Sequence, residues 1–241
     1  MEQSCRMVPY IMNRLYEKAG GGNCGWFKSS FANACKCVSG RFVSYCRKKV
    51  GLKDPLYVTR DLVLDFLDNV CVANYAKTMQ QREKKRITTA IKVLNTAFDF
   101  DIAVEETKLY RGFDVMCPYC NVKTNYVDSK VVYGKTCGGK RYLCPICGAH
   151  VGTHKGTAVP LGTPANEELQ KLRKLAHARF DKLWRERIMT RTEAYRWIAK
   201  EMNIPEAEAH IGMFDRHQCL VMIQTVSSFF YRMAESTMKS A

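Results

Sequence analysis

Two short stretches, Cys117-Pro-Tyr-Cys120 and Cys144-Pro-Ile-Cys147, decide the fold of the second half of this chain, and 23 residues separate them. Each C-x-x-C knuckle turns two sulfurs toward one point, and two knuckles together form the closed tetrahedral shell of four thiolates that Zn²⁺ prefers. A closed shell leaves no coordination position for a substrate water. The spacing therefore predicts a zinc ribbon with one structural zinc ion, bound by Cys117, Cys120, Cys144 and Cys147.

Other uses of these cysteines fit the pattern less well. Disulfides belong to oxidising compartments, and a redox C-x-x-C normally occurs once, near a βαβ pattern. Substitute ligands remain open, because a fifth thiol, Cys137, lies between the knuckles, and His150 and His154 follow the second one. Either histidine could instead donate a hydrogen bond to a ligand. Four cysteines are the simpler ligand set.

The composition is that of a globular protein. The chain has 241 residues, of which 46% are hydrophobic, and this is enough for a sizeable core. The sequence has no apolar run of about eighteen residues, so it predicts no membrane span. It opens with Met-Glu-Gln-Ser-Cys-Arg, which does not resemble a signal peptide. We therefore expect a cytoplasmic protein whose twelve cysteines are reduced.

The net charge of +15 is large and unevenly distributed. Residues 115–199 carry 15 basic and 6 acidic side chains, whereas residues 200–241 carry 4 and 5. A basic surface attracts polyanions, chiefly nucleic acid, by contacting phosphates and releasing counterions. The alternative is that the excess charge has no binding role and only keeps the protein soluble. The charge and the ribbon together favour contact with DNA or RNA.

The chain divides by pattern into three regions. Residues 1–100 are predicted to form a helical N-terminal domain, 101–162 the zinc ribbon with a Gly-rich loop, and 163–241 C-terminal helices that pack with the ribbon. The expected fold class is therefore α+β. Within the helical region, turn residues predict breaks at 20–22, 51–55 and 99–101.

Strand patterns surround the knuckles. Alternating residues over 102–115 predict a strand that leads into the ribbon. The ribbon's own strands are predicted near 122–127, 131–133 and 141–143. The segment 148–162 is instead predicted to be a Gly-rich turn.

Polar residues mark several helix starts. Thr59 and Thr163 are predicted N-caps, and Thr190 with Glu193 has the spacing of a capping box. Asp215 is the predicted cap of the last helix.

A basic face is predicted on the helix that follows Thr163. Helical spacing places four cations together on it: Lys171, Lys174, Lys182 and Arg185. Lys155, in the Gly-rich loop, is a fifth candidate phosphate contact. That loop lacks the G-x-x-x-x-G-K-[ST] order of a nucleotide-binding loop.

Longer stretches carry a resemblance to a known family. Besides the two knuckles they are Gly148-Ala-His-Val-Gly-Thr-His154-Lys-Gly-Thr157, His177-Ala-Arg-Phe-Asp181-Lys-Leu-Trp184, Arg191-Thr-Glu-Ala-Tyr-Arg-Trp197 and His210-Ile-Gly-Met-Phe-Asp215. Over about residues 115–224, this chain resembles the phage and prophage zinc-finger-containing family. That family usually reads V-G-C-H-K-G-T in the loop, and Thr153 stands here at the position of its cysteine. The resemblance thus strengthens the four-cysteine interpretation.

The resemblance implies a phage or prophage origin more than an activity. Its histidine positions correspond to His154, His177 and His210 here, and with Asp181 and Asp215 these could form a hydrolytic or nuclease site. The alternative is that the histidines make ordinary hydrogen bonds in the core.

Three hypotheses on function follow. The leading one is a zinc-stabilised nucleic-acid-binding protein that acts in phage gene expression or genome handling in the host cytoplasm. The second is a phage-encoded adaptor or inhibitor that docks on a host protein through exposed aromatic and basic side chains. The third is a metal-assisted hydrolase or nuclease, and the patterns favour it least.

Overall fold

The structure is a computed structural model that describes residues 6–19, 30–135 and 137–239. The predicted break at 20–22 lies outside these residues. The chain forms two compact units, Met1–Phe113 and Asp114–Ala241, which we call the first and second units.

All the regular secondary structure in the described residues of the first unit is helical. Its α-helices are α1 (Met7–Lys18), α2 (Ser30–Val50), α3 (Arg60–Phe66), α4 (Ala73–Thr78), α5 (Gln81–Phe98) and α6 (Lys108–Arg111). A π-helical turn, Leu67–Val72, joins α3 to α4, and 3-10 turns occur at Pro55–Tyr57 and Val104–Glu106. The rings of Phe42 and Phe66 meet edge to face at 5.2 Å in a core that excludes water from both.

Local signals set the helix boundaries in this unit. The Thr59 hydroxyl accepts a hydrogen bond from the Leu62 amide at 3.2 Å, which confirms Thr59 as the cap of α3. The predicted break at 51–55 is confirmed, since α2 ends at Val50. The break at 99–101 is also confirmed, because Asp99 adopts a left-handed conformation (φ 57°) directly after α5.

The strand predicted over 102–115 is wrong. The backbone of Ile102 is hydrogen-bonded to the Asn95 side chain in both directions, at 2.9 and 3.2 Å. The amide of Lys108 donates to the Asp68 carboxylate at 2.7 Å, and Leu109 is fully buried. These contacts give the backbone groups of Ile102 and Lys108 hydrogen-bond partners within the first unit, so this segment does not need a neighbouring strand. The boundary between the two compact units falls after Phe113.

The second unit holds a small sheet and a helical layer. The strands are β1 (Asn125–Asp128), β2 (Lys140–Leu143) and β3 (His150–Gly152), and the helices are α7 (Ser129–Tyr133), α8 (Glu167–Phe180), α9 (Lys182–Arg185), α10 (Arg191–Glu201) and α11 (Arg216–Lys239). The sheet is antiparallel in the order β1-β2-β3, with Tyr126 opposite Tyr142. The predicted α+β class is confirmed. The ribbon and the C-terminal helices belong to this one unit.

The strand predictions have a mixed outcome. The strands near 122–127 and 141–143 are confirmed as β1 and β2. The strand at 131–133 is wrong because Asp128 accepts a hydrogen bond from the Lys130 amide at 2.7 Å and starts the short helix α7. The third strand, β3, lies in the segment predicted to be a turn. It forms because its backbone pairs with β2 along 141–143.

The helix starts of the second unit also differ in one place. Thr163 does not cap α8, because Ala165 first pairs with His150 as a β-bridge. Asn166 caps the helix instead, accepting from the Leu169 amide at 2.9 Å. The capping box at Thr190 and the Asp215 cap of α11 are both confirmed.

Candidate metal centre and nucleic-acid interface

The first knuckle is closed by its own backbone. The amide of Cys117 donates to the Val122 carbonyl at 2.8 Å, and the amide of Asn121 donates back to the Cys117 carbonyl at 2.9 Å. Asn121 takes a left-handed conformation (φ 51°), which asparagine tolerates better than most residues. The turn therefore brings Cys117 and Cys120 to the same side.

The second knuckle repeats this geometry. The amide of Cys144 donates to the Ala149 carbonyl at 2.8 Å, and the amide of Gly148 donates to the Cys144 carbonyl at 3.2 Å. Gly148 is also left-handed (φ 73°). The two knuckles are thus equivalent turns, and both follow the order C-P-x-C with a left-handed residue next.

The four sulfurs converge on one point. Those of Cys117, Cys120, Cys144 and Cys147 all lie within 4.8 Å of one another, and those of Cys117 and Cys147 are 3.6 Å apart. A tetrahedral zinc ion with Zn–S bonds of about 2.3 Å requires sulfurs about 3.8 Å apart. The four sulfurs are close enough together to form a site for one structural zinc ion.

The surroundings act in opposite directions on the individual thiols. Cys117 and Cys144 are 1% and 2% exposed. The backbone amides of Cys147 and Ile146 donate to the Cys144 sulfur and lower the pKa of that thiol to about 7. Burial acts oppositely on Cys117 and raises its pKa. A metal ion offsets the cost of deprotonating a buried thiol, since it binds the thiolate.

The substitute ligands considered from the sequence lie elsewhere. Cys137 is exposed, and its amide donates to the Ser129 hydroxyl. The His150 ring lies 3.1 Å from the Gly148 carbonyl and 3.3 Å from the Tyr133 hydroxyl, so it braces the second knuckle through its backbone. The cluster of four cysteines is the only group of three or more convergent metal-binding side chains among the described residues.

The other candidate histidines, His154, His177 and His210, influence one another electrostatically. Burial lowers the pKa of His210, and positive charge on His177 and His154 lowers it further. The Asp181 carboxylate lies 3.7 Å from Nδ1 of His177, whereas the Asp215 carboxylate caps α11. Throughout residues 6–19, 30–135 and 137–239, these side chains do not converge as metal ligands. The arrangement therefore gives no support to a metal-assisted site there.

The predicted basic surface consists of Lys155, Lys171, Lys174, Lys182 and Arg185, and all five side chains are exposed. Lys171 pairs with Glu167 at 2.6 Å, and Arg185 pairs with Asp181 at 3.3 Å. The other three form no ion pair with any residue that the structure describes. The helix that was expected to carry four of these cations is interrupted at Asp181, between α8 and α9.

Sequence reasoning missed a buried cation, Arg173. Its guanidinium donates to the Phe214 carbonyl at 2.6 and 2.8 Å, to the Thr163 carbonyl at 2.8 Å and to the Thr163 hydroxyl at 2.7 Å. Arg173 thereby fastens α8 to the segments on either side of it. Its position gave a signal, because it lies at helical spacing between the apolar Leu169 and Ala176.

In the same region, the backbone at residues 161–163 passes very close to the backbone at Gly212, and we call this contact the backbone crossing. The amide of Thr163 donates to the Gly212 carbonyl at 3.0 Å. A side chain on Gly162 would place its Cβ 2.0 Å from that carbonyl oxygen, and one on Gly212 would place it 2.4 Å from the Leu161 oxygen. Only glycine fits at either position.

The fold and the four sulfurs define a zinc-ribbon domain extended by helices. Residues 113–229 match the model of a family described as a zinc-finger-containing domain. No curated protein and no solved structure matches the chain. Among the described residues, no helix combines the length and apolar character that a membrane crossing requires.

Proposed function

We propose that this protein binds nucleic acid through the basic surface of its second unit and that zinc holds the ribbon that carries Lys155. The observation that carries the proposal is the set of three exposed lysines, Lys155, Lys174 and Lys182, that have no described acidic partner. Free surface cations bind phosphates and release counterions. The high positive charge of residues 115–199 supports the same conclusion.

The biological setting that fits this activity is gene expression or genome handling by a phage in its host's cytoplasm. The family resemblance motivates the phage origin. DNA and RNA are both candidate ligands, since phosphate contacts are common to the two.

A matched pair of variants tests this proposal. Replacing Lys155, Lys174 and Lys182 with glutamine removes three positive charges from the basic surface. Replacing Lys48, Lys49 and Lys77, which are exposed in the first unit, removes the same charge elsewhere. Fluorescence anisotropy across a salt titration should show at least tenfold weaker binding and a shallower salt slope for the first variant alone. Equal losses in both variants would rule out the basic surface as the specific contact.

A second candidate function is docking on a protein partner. It is favoured by the apolar residues that the two knuckles expose at equivalent positions, Tyr119 (47%) and Ile146 (70%). Nearby Met116 is also exposed (49%). If the protein shows no salt-dependent binding to any nucleic acid, these side chains become the first place to look for an interface.

A further inference from the structure

A cleft of about 240 Å³ lies in the second unit beside the basic surface. The helices α8 and α9, with the residue that follows them, form one side, and α11 forms the other. The lining residues are Arg179, Lys182, Glu186, Val226, Ser227 and Phe230. One of them, Lys182, belongs to the basic surface.

The wall formed by α11 is apolar. Val226 is buried, and Phe230 is half-buried with its ring packed edge to face against Phe229 at 5.8 Å. The Ser227 hydroxyl is already used, since it donates to the Ile223 carbonyl at 2.8 Å. The chemistry this wall offers a ligand is therefore aromatic and aliphatic contact.

The opposite wall carries charges that do not neutralise one another. Arg179, Lys182 and Glu186 are all exposed, and none forms an ion pair with a described residue. Lys182 and Glu186 are four residues apart, which is the spacing at which Lys171 pairs with Glu167 on α8. The pair that forms on α8 is absent at the cleft, so these three groups are available to a ligand.

These features together select the class of ligand. The volume lies below the roughly 300–1,000 Å³ of pockets for drug-sized molecules and suits a smaller flat group. An aromatic side chain beside two cations is the combination that binds single-stranded nucleic acid, because the ring stacks on a base while the cations contact phosphates. Bases that stay paired in a duplex cannot enter.

The geometry points to the cleft as a site for one unpaired base of a single strand that lies on the basic surface, and this inference rests on the proposed function. Phe230 and Val226 contact the base, and Arg179 and Lys182 contact the adjoining phosphates. The Glu186 carboxylate can only accept hydrogen bonds when ionised, so it favours a base that presents an amino group. The surface therefore prefers single strands over duplex, and cytosine over thymine.

Phe230→Leu tests the aromatic contact, since it keeps an apolar side chain and removes the ring. Tyr231→Leu is the matched control, because Tyr231 is the next residue on α11, is 66% exposed and does not line the cleft. In anisotropy measurements, Phe230→Leu should weaken binding to a single-stranded oligonucleotide about tenfold and leave duplex binding unchanged. Tyr231→Leu should change neither. Equal effects of the two variants, or equal losses for single strands and duplex, would overturn the inference.

Glu186→Gln tests recognition of the base. The wild type should bind oligo(dC) more tightly than oligo(dT), and the variant should lose most of this difference. No difference in the wild type would overturn the role of Glu186. Displacement of oligo(dC) by poly-glutamate at equal charge concentration would show that tight binding does not require bases, which also contradicts the inference.

A crosslink provides a test that does not depend on a folded variant. Irradiation of the wild-type protein with an oligonucleotide that carries 5-iodocytosine should attach it to the α11 peptide that contains Phe230. Attachment to another peptide, together with intact salt-dependent binding, would show that the cleft is not the base site and would leave the proposed function standing. Absence of salt-dependent binding to any polymer would overturn both.

Discussion

The first unit and the zinc ribbon use different means to hold their structure. The first unit buries large apolar side chains, among them Phe42, Phe66 and Leu94. The buried cluster at the two knuckles consists of Cys117, Cys144 and Ala149, apart from the buried Tyr142 and Val159 of the sheet and the following loop. At about 25 cal/mol per Å² of apolar surface removed from water, so small a cluster contributes little. The difference teaches that the knuckles depend on a metal ion to hold them together, whereas the first unit depends on its hydrophobic core.

Loss of a zinc ligand should have the largest effect. Cys117→Ser or Cys144→Ser removes a thiolate from the closed shell, and binding of a structural zinc ion supplies about 10–16 kcal/mol in small zinc domains. We expect loss of bound zinc and unfolding of the ribbon, while the first unit keeps its helices. Metal analysis and circular dichroism measure the two outcomes.

The control for this experiment is Cys137→Ser. That thiol is exposed and lies outside the cluster, so zinc content should stay at one per chain. A Cys117→Ser protein that retains one zinc ion and melts normally would show that the ligand set is wrong.

The complementary experiment removes a core side chain from the first unit instead of a zinc ligand. Phe66→Ala removes a fully buried ring that contacts Phe42 and Tyr45. Substitutions of this kind cost about 3–5 kcal/mol, and urea unfolding should show the loss in the first unit. Bound zinc should remain at one per chain. Loss of zinc in this variant would contradict the independence of the ribbon from the first unit's core.

The backbone crossing within the second unit should show a smaller effect. Gly162→Ala places a Cβ against the carbonyl group of Gly212, and relief of such overpacking typically costs about 1–3 kcal/mol. Thermal unfolding of the second unit measures this loss of stability.

Gly40→Ala is the control, because nothing lies within 4 Å of the new Cβ in the interior of α2. That substitution should stabilise the first unit by up to about 1 kcal/mol. If Gly162→Ala and Gly40→Ala changed the unfolding free energy in the same direction, the close backbone contact between Gly162 and Gly212 would be contradicted.

The smallest effect is expected at the second knuckle. Gly148→Ala creates no steric contact, so its cost is only that of a left-handed alanine, about 1 kcal/mol. Because the site forms only when the knuckle is folded, zinc affinity should fall about fivefold in a competition titration with a chromogenic chelator. An unchanged affinity would show that zinc binding does not require the left-handed turn.

The sequence predicted best where the signal is local. The cysteine spacing anticipated the cluster because each knuckle is a turn of a few residues. Thr59, Thr190 and Asp215 were correctly predicted as caps, since a cap bonds amides only two or three residues away.

Predictions failed where distant contacts decide the structure. Residues 102–115 have a strand pattern, but Asn95 and Asp68 bind their backbone in the first unit. Thr163 has the form of a cap, yet its hydroxyl accepts from Arg173. Neither the partners of Arg173 nor the cleft beside Phe230 can be found from residue order, because both require the packing of α8 on the rest of its unit.

The most direct test of the central claim is a nucleic-acid binding titration of the zinc-loaded protein, repeated after chelation of the metal and again after zinc is restored. Fluorescence anisotropy with a single-stranded oligonucleotide should show binding that falls steeply with salt, weakens on chelation and recovers with zinc. Binding that is absent, or that is unchanged when the metal is removed, would contradict the account.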